Sequence, residues 1–269
     1  MIAEGIRTTR REMTGFPFEQ MTLIGKAVAA IGSPAFPAAL RQLCLDVYGF
    51  DSLFVSVFSA DQPPLQLYSD LDPEATRRTI GPYLSFAYLL DPFYSLYLAD
   101  PGDRVVSLDD CAPDDFRESE YYRMFYAETG LYDEIVMLVA SAEGTAIALS
   151  LGQRTEDCRP GPQARAHLDG LLPVVSELCR KHWPQPVSGS AASEPAADMV
   201  FATLSQLKVS TREGEIIRLM LKGHSTKSIA RILGNSPETV KVHRKRIYSK
   251  LKISSQGELF SLLLGGAGG

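Results

Sequence analysis

The sequence predicts two domains, an N-terminal α+β (α-β-α) sandwich whose helices cover an antiparallel sheet and a C-terminal all-α domain of four helices. Three observations support this prediction: the length, a linker-like segment and a division of charge. The 269 residues suffice for two ordinary domains. Residues 184–197, rich in Pro, Ser and Ala, lack apolar periodicity. We therefore expect domains at 1–183 and 201–269, joined by a linker at 184–200.

The charge of the chain divides near the same place. Residues 1–204 hold 15 Lys and Arg against 28 Asp and Glu, whereas residues 205–269 hold 12 against 4. Phosphate contacts dominate the affinity of proteins for nucleic acids, so a basic domain is the one suited to a polyanion. The division predicts that only the C-terminal domain meets DNA.

The N-terminal domain alternates between two kinds of apolar pattern. Five segments have the spacing typical of helices: 18–31, 38–47, 73–98 with breaks near Pro82 and Pro92, 116–129 and 162–182. Four segments are typical of strands: 52–59, 66–69, 134–140 and 145–151. This order of helices and strands fits an antiparallel sheet covered by helices.

The C-terminal domain has helix signals in close succession. Helices are expected at 212–221, 226–233, from 237 onward and at 255–264, with Gly223 and Gly234 between the first three. Ser236, Pro237 and Glu238 are a hydroxyl N-cap, a first-turn proline and an N-terminal carboxylate, and all three indicate the same start for the third helix. No strand fits between these helices.

The third of these helices carries a basic face. Val240, Ile247 and Leu251 can face a core, while Lys241 and Lys245 lie among the remaining positions. An α-helix fits the DNA major groove, so this face can reach bases and phosphates. A solvated face of a structural bundle is the alternative. Two short helices, a glycine turn and a basic third helix together favour DNA binding.

These residues resemble the LuxR-type, or GerE-type, helix-turn-helix of bacterial regulators over about 55 residues. The matching positions are Thr211, Arg212, Glu213, Glu215, Gly223, Ser225, Lys227, Ile229, Ala230, Leu233, Gly234, Ser236, Thr239, Val240, Lys241, His243, Ile247, Lys250 and Leu251. The resemblance implies a transcription regulator that usually works as a dimer. Its implied partners are double-stranded operator DNA, a second copy of the chain and RNA polymerase.

The resemblance also implies roles for individual residues. Base-facing positions fall on Lys241, Val242 and Lys245. Phosphate contacts fall on Lys227, Ser236, Thr239, Arg244 and Arg246, and a dimerisation surface on the fourth helix falls on Leu259, Phe260 and Leu263, which we expect to be exposed. Glu213 is expected to cap or pair within the bundle. The sequence departs from the family pattern at Ser228, Asn235 and Lys252, where Glu, an aliphatic residue and Gly are usual.

A regulator of this kind needs an input, and the sequence argues against a phosphorylated receiver domain. The acidic pair Asp109 and Asp110 lies in mid-domain, and no lysine lies between Lys26 and Lys181. Aromatic residues instead surround Asp91, which predicts a ligand pocket. Its expected lining is Tyr83, Phe86, Tyr88, Asp91, Tyr94 and Phe125, with Phe116, Tyr121, Tyr122 and Tyr126 as a possible second wall. A solid aromatic core is the alternative.

The Asp91-Pro92 pair resembles the autoinducer-binding domain of quorum-sensing LuxR regulators, an α-β-α fold akin to GAF and PAS domains. The resemblance implies that Asp91 contacts a ligand amide. The only tryptophan of the chain, Trp183, is far from this region in sequence, so the usual lactone donor is missing. We expect a ligand other than an acyl-homoserine lactone. A lactone receptor and a ligand-independent dimeric DNA-binding protein remain the alternatives.

Other functional classes find little support in the sequence. No phosphate loop, nucleophile elbow or metal-spaced set of His and Cys is present, so neither an enzyme nor a cofactor nor a metal is expected. The four cysteines are scattered, which favours reduced thiols. The N-terminus lacks the apolar stretch of a secretory signal, and no segment has the apolar length of a membrane span. We expect a cytoplasmic protein.

Overall fold

The computed structural model describes residues 18–45, 50–85, 87–127, 129–154, 162–184 and 209–266. Five strands form one antiparallel sheet in the order β2-β1-β5-β4-β3. Their bounds are Ser52–Phe58 (β1), Leu65–Ser69 (β2), Arg104–Ser107 (β3), Asp133–Ala140 (β4) and Ala146–Gln153 (β5). The central pair is the hairpin of β4 and β5, in which Asp133 lies opposite Gln153 and Ala140 opposite Ala146.

One face of the sheet packs against three long helices. These are α1 (Phe18–Ala30), α2 (Phe36–Leu45) and α8 (Pro162–His182). Alternate strand residues such as Val55, Met137 and Leu149 point into this layer and are buried, as the two-residue period of a strand requires. The result is a continuous apolar core on this side of the sheet.

The opposite face is covered by short helical segments. They are α3 (Pro73–Ala75), a π-helical turn at Thr76–Ile80, α4 (Gly81–Ser85), a 3₁₀ turn at Ala87–Leu90, α5 (Pro92–Ala99), α6 (Leu108–Cys111), a 3₁₀ turn at Phe116–Glu118, α7 (Glu120–Tyr122) and a π-helical turn at Arg123–Ala127. A cluster rich in Phe and Tyr side chains fills this layer. Because the segments are short, this face is less regular than the other.

The C-terminal domain consists of four helices. They are α9 (Thr211–Leu221), α10 (Thr226–Leu233), α11 (Pro237–Leu251) and α12 (Gln256–Gly266). The hydroxyl groups of Ser210, Ser225 and Ser236 cap the first three by accepting a backbone N–H three residues later. Gly223 and Gly234 have φ of 88° and 64°, the left-handed conformation that lets the chain turn between helices.

Most predicted elements are confirmed, including the four C-terminal helices and the sheet hairpins. The helix predicted at 116–129 is wrong, because Ser119 is extended with ψ of 154° and its side chain caps α7 instead. The four-residue strand β3 was not predicted, since so short a run shows no clear alternation. Residues 185–208, which include nearly all of the predicted linker, lie outside the described residues.

Lys252 occupies a position where a glycine would be less strained. It follows α11 with φ of 56° and ψ of 41°, a conformation that costs an L-residue about 1–2 kcal/mol. We expect Lys252→Gly to raise the free energy of unfolding by about 0.5–1 kcal/mol, since the relief exceeds the extra entropy of glycine in the unfolded chain. Thermal unfolding of the full chain measures the change.

The matched control for this substitution is Ser249→Gly, three residues earlier within α11. There the backbone is right-handed, so glycine should lower stability by about 0.5 kcal/mol. If Lys252→Gly also lowers the unfolding temperature, the left-handed conformation is not a source of strain.

Candidate functional site

A cavity lies between the sheet and the short helical segments of the N-terminal domain. Its walls come from β1, β2, β4 and β5 on one side and from the segments around α4, α5 and α7 on the other. The empty space, including the open mouth, is about 710 Å³. The lining residues are Ser52, Leu53, Phe54, Ser69, Asp70, Leu71, Thr79, Ile80, Tyr83, Asp91, Tyr121, Phe125, Tyr126, Thr129, Leu131, Glu134, Ser150, Gly152 and Arg154.

Asp91 is held rigidly in one wall of the cavity. One carboxylate oxygen accepts the Phe93 N–H at 2.7 Å and so caps α5, whose first residue is Pro92. The other oxygen accepts the Tyr83 hydroxyl at 2.6 Å. Burial raises the pKa of Asp91 to about 6, although these hydrogen bonds oppose the shift.

Glu134 is a second buried carboxylate in the same cavity. It stands in β4 and is only 8% exposed. Its carboxylate accepts the Tyr126 hydroxyl at 2.5 Å. Burial, with a further contribution from the negative charge of Asp91, raises the pKa of Glu134 to about 7. The cavity therefore holds two carboxyl groups that share a poorly hydrated space.

Aromatic rings form the wall between the two carboxyl groups. Tyr121 and Phe125 lie with ring centroids 5.0 Å apart, and Phe125 meets Tyr83 edge-on at 6.2 Å. Tyr121 is 3% exposed, and its hydroxyl has no hydrogen-bond partner among the residues that the structure describes. Burial raises the pKa of this hydroxyl well above its usual value, so it remains a neutral donor.

Three of the six predicted pocket residues line this cavity: Tyr83, Asp91 and Phe125. Tyr88 and Tyr94 do not. Tyr94 donates its hydroxyl to the carbonyl of Ser59 at 2.8 Å, and its ring packs edge-on against Tyr88 at 4.9 Å, so this pair belongs to the solid core. Phe86 lies outside the described residues.

Glu134 was missed by sequence reasoning because it begins a strand and was treated only as part of that strand. Of the proposed second wall, Tyr121 and Tyr126 line the cavity, whereas Phe116 and Tyr122 pack against each other, with ring centroids 5.9 Å apart, and do not line it. Trp183 packs against Phe36, with ring centroids 5.4 Å apart, in the core on the opposite side of the sheet. The tryptophan therefore contributes nothing to the cavity.

The raised pKa of Glu134 makes a prediction about stability. Between about pH 4.5 and 7 the folded state retains a proton that the unfolded state loses, so the free energy of unfolding falls progressively as the pH rises through this range. Glu134→Gln removes the buried charge. We expect the variant to be more stable than the parent by about 1 kcal/mol at pH 8, where the amide's need for its own partner offsets part of the gain.

Chemical denaturation at pH 5 and pH 8 measures this difference. It should nearly vanish at pH 5, where Glu134 is protonated in the folded chain. Glu19→Gln on the exposed surface of α1 is the control, and it should change stability little at either pH. If the stability of Glu134→Gln relative to the parent is lower at pH 8 than at pH 5, Glu134 does not carry a destabilising charge in the folded chain.

A separate basic surface lies on α11. Lys241, Val242 and Lys245 are exposed on one arc of this helix, and Val242 is 49% exposed although it is apolar. Val240 and Ile247 on the opposite arc are buried. The three residues predicted to face bases are thus side by side and open to a partner.

The predicted phosphate contacts surround this arc. Lys227, Ser236, Thr239 and Arg246 are exposed. Arg244 is partly buried and donates to the Thr226 hydroxyl at 3.0 Å, which ties α11 to the start of α10. Glu213 accepts Lys250 at 2.8 Å and caps the Ser210 N–H at 2.9 Å, so the prediction of a structural role is confirmed.

The two domains contact each other through a hydrogen-bonded turn. Asp114 accepts both the backbone N–H of Ser225, at 3.0 Å, and its hydroxyl, at 2.5 Å. Asp115 donates its N–H to the Gly223 carbonyl at 2.9 Å. A Cβ on Gly223 would lie 2.7 Å from Cα of Phe116, so only glycine allows this approach. The start of α10 is thereby docked on the N-terminal domain.

A second contact connects this docking to the cavity. Lys222, which follows α9, donates to the Ser95 hydroxyl at 2.8 Å. Ser95 lies on α5 and donates in turn to the Asp91 carbonyl at 3.1 Å. Asp91 thus has its side chain on the cavity wall, and its main-chain carbonyl is linked to the C-terminal domain by two hydrogen bonds through Ser95.

The expectation that α12 exposes Leu259 and Phe260 is wrong in this arrangement. Both side chains are buried in the apolar cluster that includes Ile217 and Met220 of α9. The start of α12 also meets α7, since a Cβ on Gly257 would lie 3.0 Å from the Glu120 carboxylate. The Leu263 side chain lies outside what the structure describes.

Other site types are not found in the part of the chain that the structure describes. There, no three His, Cys, Asp or Glu side chains come together as metal ligands would. None of the described helices is both long and apolar enough to cross a membrane. Cys44, Cys111 and Cys179 are free thiols, and Cys158 lies outside the described residues.

Comparisons with known proteins match both domains. Residues 207–263 match the family of bacterial regulatory proteins described as luxR family, GerE. The HTH-type transcriptional regulator in the exeN 3′ region of Aeromonas salmonicida is 32% identical over 156 residues, which cover 55% of this chain and 80% of the relative. The transcriptional regulatory protein TdiR of Thauera aromatica is 44% identical over 68 residues, or 25% of this chain and 28% of TdiR.

The N-terminal domain is similar to a solved structure. The VqsR LBD domain from Pseudomonas aeruginosa superposes with a TM-score of 0.53 at 28% identity, over 61% of this chain and 96% of that domain. The sheet and cavity described above therefore belong to a fold that is shared with a LuxR-type ligand-binding domain.

Proposed function

We propose, because the chain belongs to the LuxR family of bacterial regulatory proteins, that a small molecule in the N-terminal cavity modulates its binding to operator DNA. Membership of this family makes it a DNA-binding transcription regulator. The proposal concerns what the N-terminal domain adds. One observation carries it: the cavity and the C-terminal domain are joined through α5 by Asp91, Ser95 and Lys222.

The DNA-binding half of the proposal rests on the exposed arc of α11. Lys241, Val242 and Lys245 would enter the major groove, where lysine donates to the acceptor atoms of guanine. Lys227, Ser236, Thr239 and Arg246 flank this arc and would contact phosphates, which position the helix without reading sequence. Arg244 would also contact a phosphate if it gave up its hydrogen bond to the Thr226 hydroxyl.

The gating half of the proposal rests on the docked arrangement of the domains. A ligand can shift an equilibrium between two arrangements only if it binds them with different affinity. A ligand that contacts Asp91 alters the cap of α5, and α5 holds Lys222 through Ser95. Ligand binding and domain docking would therefore influence each other.

Docking would oppose dimerisation. The start of α12, the helix that the family resemblance assigns to the dimer, is in contact with α7 when the domains are docked. The arc of α11 that carries Lys241, Val242 and Lys245 stays exposed when the domains are docked. The docked form would thus be a monomer in which α11 remains accessible to DNA. Release of the C-terminal domain from the N-terminal domain would allow two chains to dimerise and bind a two-fold symmetric operator.

The test uses the full chain and a DNA duplex selected in vitro for binding to it. Thermal unfolding is measured with acyl-homoserine lactones, amines and aromatic acids, because a ligand of the native state raises the unfolding temperature by mass action. Fluorescence anisotropy then measures DNA affinity with and without each stabilising compound. We expect a compound that stabilises the chain to change DNA affinity at least about fivefold.

Two other results would point to the alternatives. A lactone that stabilises the chain and changes DNA affinity would make it a lactone receptor despite the position of Trp183. Compounds that stabilise the chain with no effect on DNA affinity would favour a ligand-independent dimeric DNA-binding protein, and would reject the gating proposal.

A further inference from the structure

We infer that the cavity ligand is a small organic cation, a protonated amine with an apolar body, bound between Asp91 and Glu134. The inference rests on the proposed function, since it names the ligand class of that site. It begins from the two carboxyl groups, which line one cavity and are 6% and 8% exposed. A buried carboxylate without a cation is costly, and a bound ammonium would supply the missing positive charge.

Among the residues that the structure describes, no lysine or arginine forms an ion pair with Glu134. The negative charges of Asp91 and Asp133 both raise the pKa of Glu134. Asp70 also lines the cavity but is paired with Arg41 at 3.0 Å. Arg154, the cationic residue in the described lining, is exposed to solvent. On the Asp91 side the nearby cation is Lys222, whose ammonium is engaged by Ser95 outside the cavity wall.

The walls between the carboxyl groups suit an organic cation in two further ways. Tyr83, Tyr121, Phe125 and Tyr126 offer aromatic rings, whose negative faces attract cations. The Tyr121 hydroxyl lacks a partner among the described residues although the residue is almost fully buried, so it is free to bond a ligand. Phe54 and Leu131 give the opposite wall an apolar surface for the body of the ligand.

An anionic or neutral ligand fits this chemistry less well. A carboxylate ligand would meet two buried acids, and like charges in a poorly hydrated space repel strongly. A neutral amide could donate to Asp91, as the family resemblance implies, but would leave Glu134 unneutralised. The second carboxyl group is therefore the feature that distinguishes an amine from an acyl-homoserine lactone.

The experiment compares amines with alcohols of the same body on the full chain. Calorimetric titration is carried out at pH 8, up to millimolar concentration, with n-hexylamine and n-hexanol, phenethylamine and phenethyl alcohol, and tyramine and tyrosol. 4-Hydroxyphenylacetate and N-octanoyl-homoserine lactone complete the set. We expect at least one amine to bind about tenfold or more tightly than its alcohol. If no amine is preferred to its alcohol, the inference is overturned.

Two substitutions assign the preference to the carboxyl groups. Glu134→Gln and Asp91→Asn keep the shape of each side chain and should each reduce amine affinity about tenfold while leaving the alcohol unchanged. Glu19→Gln, the same change on the exposed surface of α1, should leave both affinities unchanged. An amine preference that survives both cavity substitutions would also overturn the inference.

The DNA measurement separates this inference from the proposed function. An amine that binds through Glu134 without changing DNA affinity would support the ligand class and reject gating. A lactone that binds and changes DNA affinity, when no amine binds, would reject the ligand class and support gating. The two ideas therefore fail under different results.

Discussion

Lys245→Glu is expected to lower the affinity of the full chain for its selected DNA duplex by at least about 100-fold. Lys245 is exposed on the arc of α11 that also carries Lys241 and Val242. A lost hydrogen bond to a base costs about 1–3 kcal/mol, and the new carboxylate also faces a strongly negative groove. Fluorescence anisotropy at fixed salt concentration measures the loss.

The fold should be unaffected by this substitution, because the Lys245 side chain is exposed on the surface of α11. Circular dichroism and the unfolding temperature check this point. Lys26→Glu, an identical change of charge on the exposed surface of α1, should alter DNA affinity less than about twofold. If Lys245→Glu binds the DNA duplex as tightly as the parent, α11 is not the helix that contacts the bases.

Asp114→Ala is expected to raise DNA affinity about 10- to 30-fold in the absence of ligand. Asp114 holds the start of α10 through two hydrogen bonds to Ser225, and loss of such charge-assisted bonds weakens docking by about 2 kcal/mol. The released domain would expose the start of α12 and dimerise. DNA affinity can rise by no more than the factor by which docking is weakened.

Sedimentation velocity on the same variant should show a larger dimer fraction than the parent has at equal concentration. Asp109→Ala is the control from the neighbouring helix, since Asp109 pairs with Arg117 of its own domain. It should leave both DNA affinity and dimer fraction unchanged. If Asp114→Ala dimerises more readily but binds DNA no better, the docked arrangement does not oppose DNA binding.

Local signals explain why the C-terminal domain could be predicted from sequence almost to the residue. Ser225 and Ser236 cap helices whose starts are visible in the sequence, and Gly223 and Gly234 mark their ends. Each signal acts over three or four residues, so it requires no knowledge of the rest of the chain. The departure at Lys252 was visible too, although its strained conformation was not.

The cavity could be predicted only in part, because its walls are distant in sequence. Asp91 stands out beside Pro92 and aromatic residues, whereas Glu134 lies in a different element and meets it only across the folded domain. The same limit applies to Leu259 and Phe260. Their spacing indicates an apolar helix face but not whether that face meets its own domain, another domain or a second chain.

The two faces of the sheet imply different rates of evolutionary divergence within one domain. Residues such as Val55 and Met137 fill a continuous core with α1, α2 and α8, where most substitutions cost stability. Glu134 of β4 and Ser150 of β5 belong to the same sheet but point toward the cavity. A lineage can therefore exchange one chemical signal for another through the cavity face alone, while the scaffold and the DNA-reading domain are inherited unchanged.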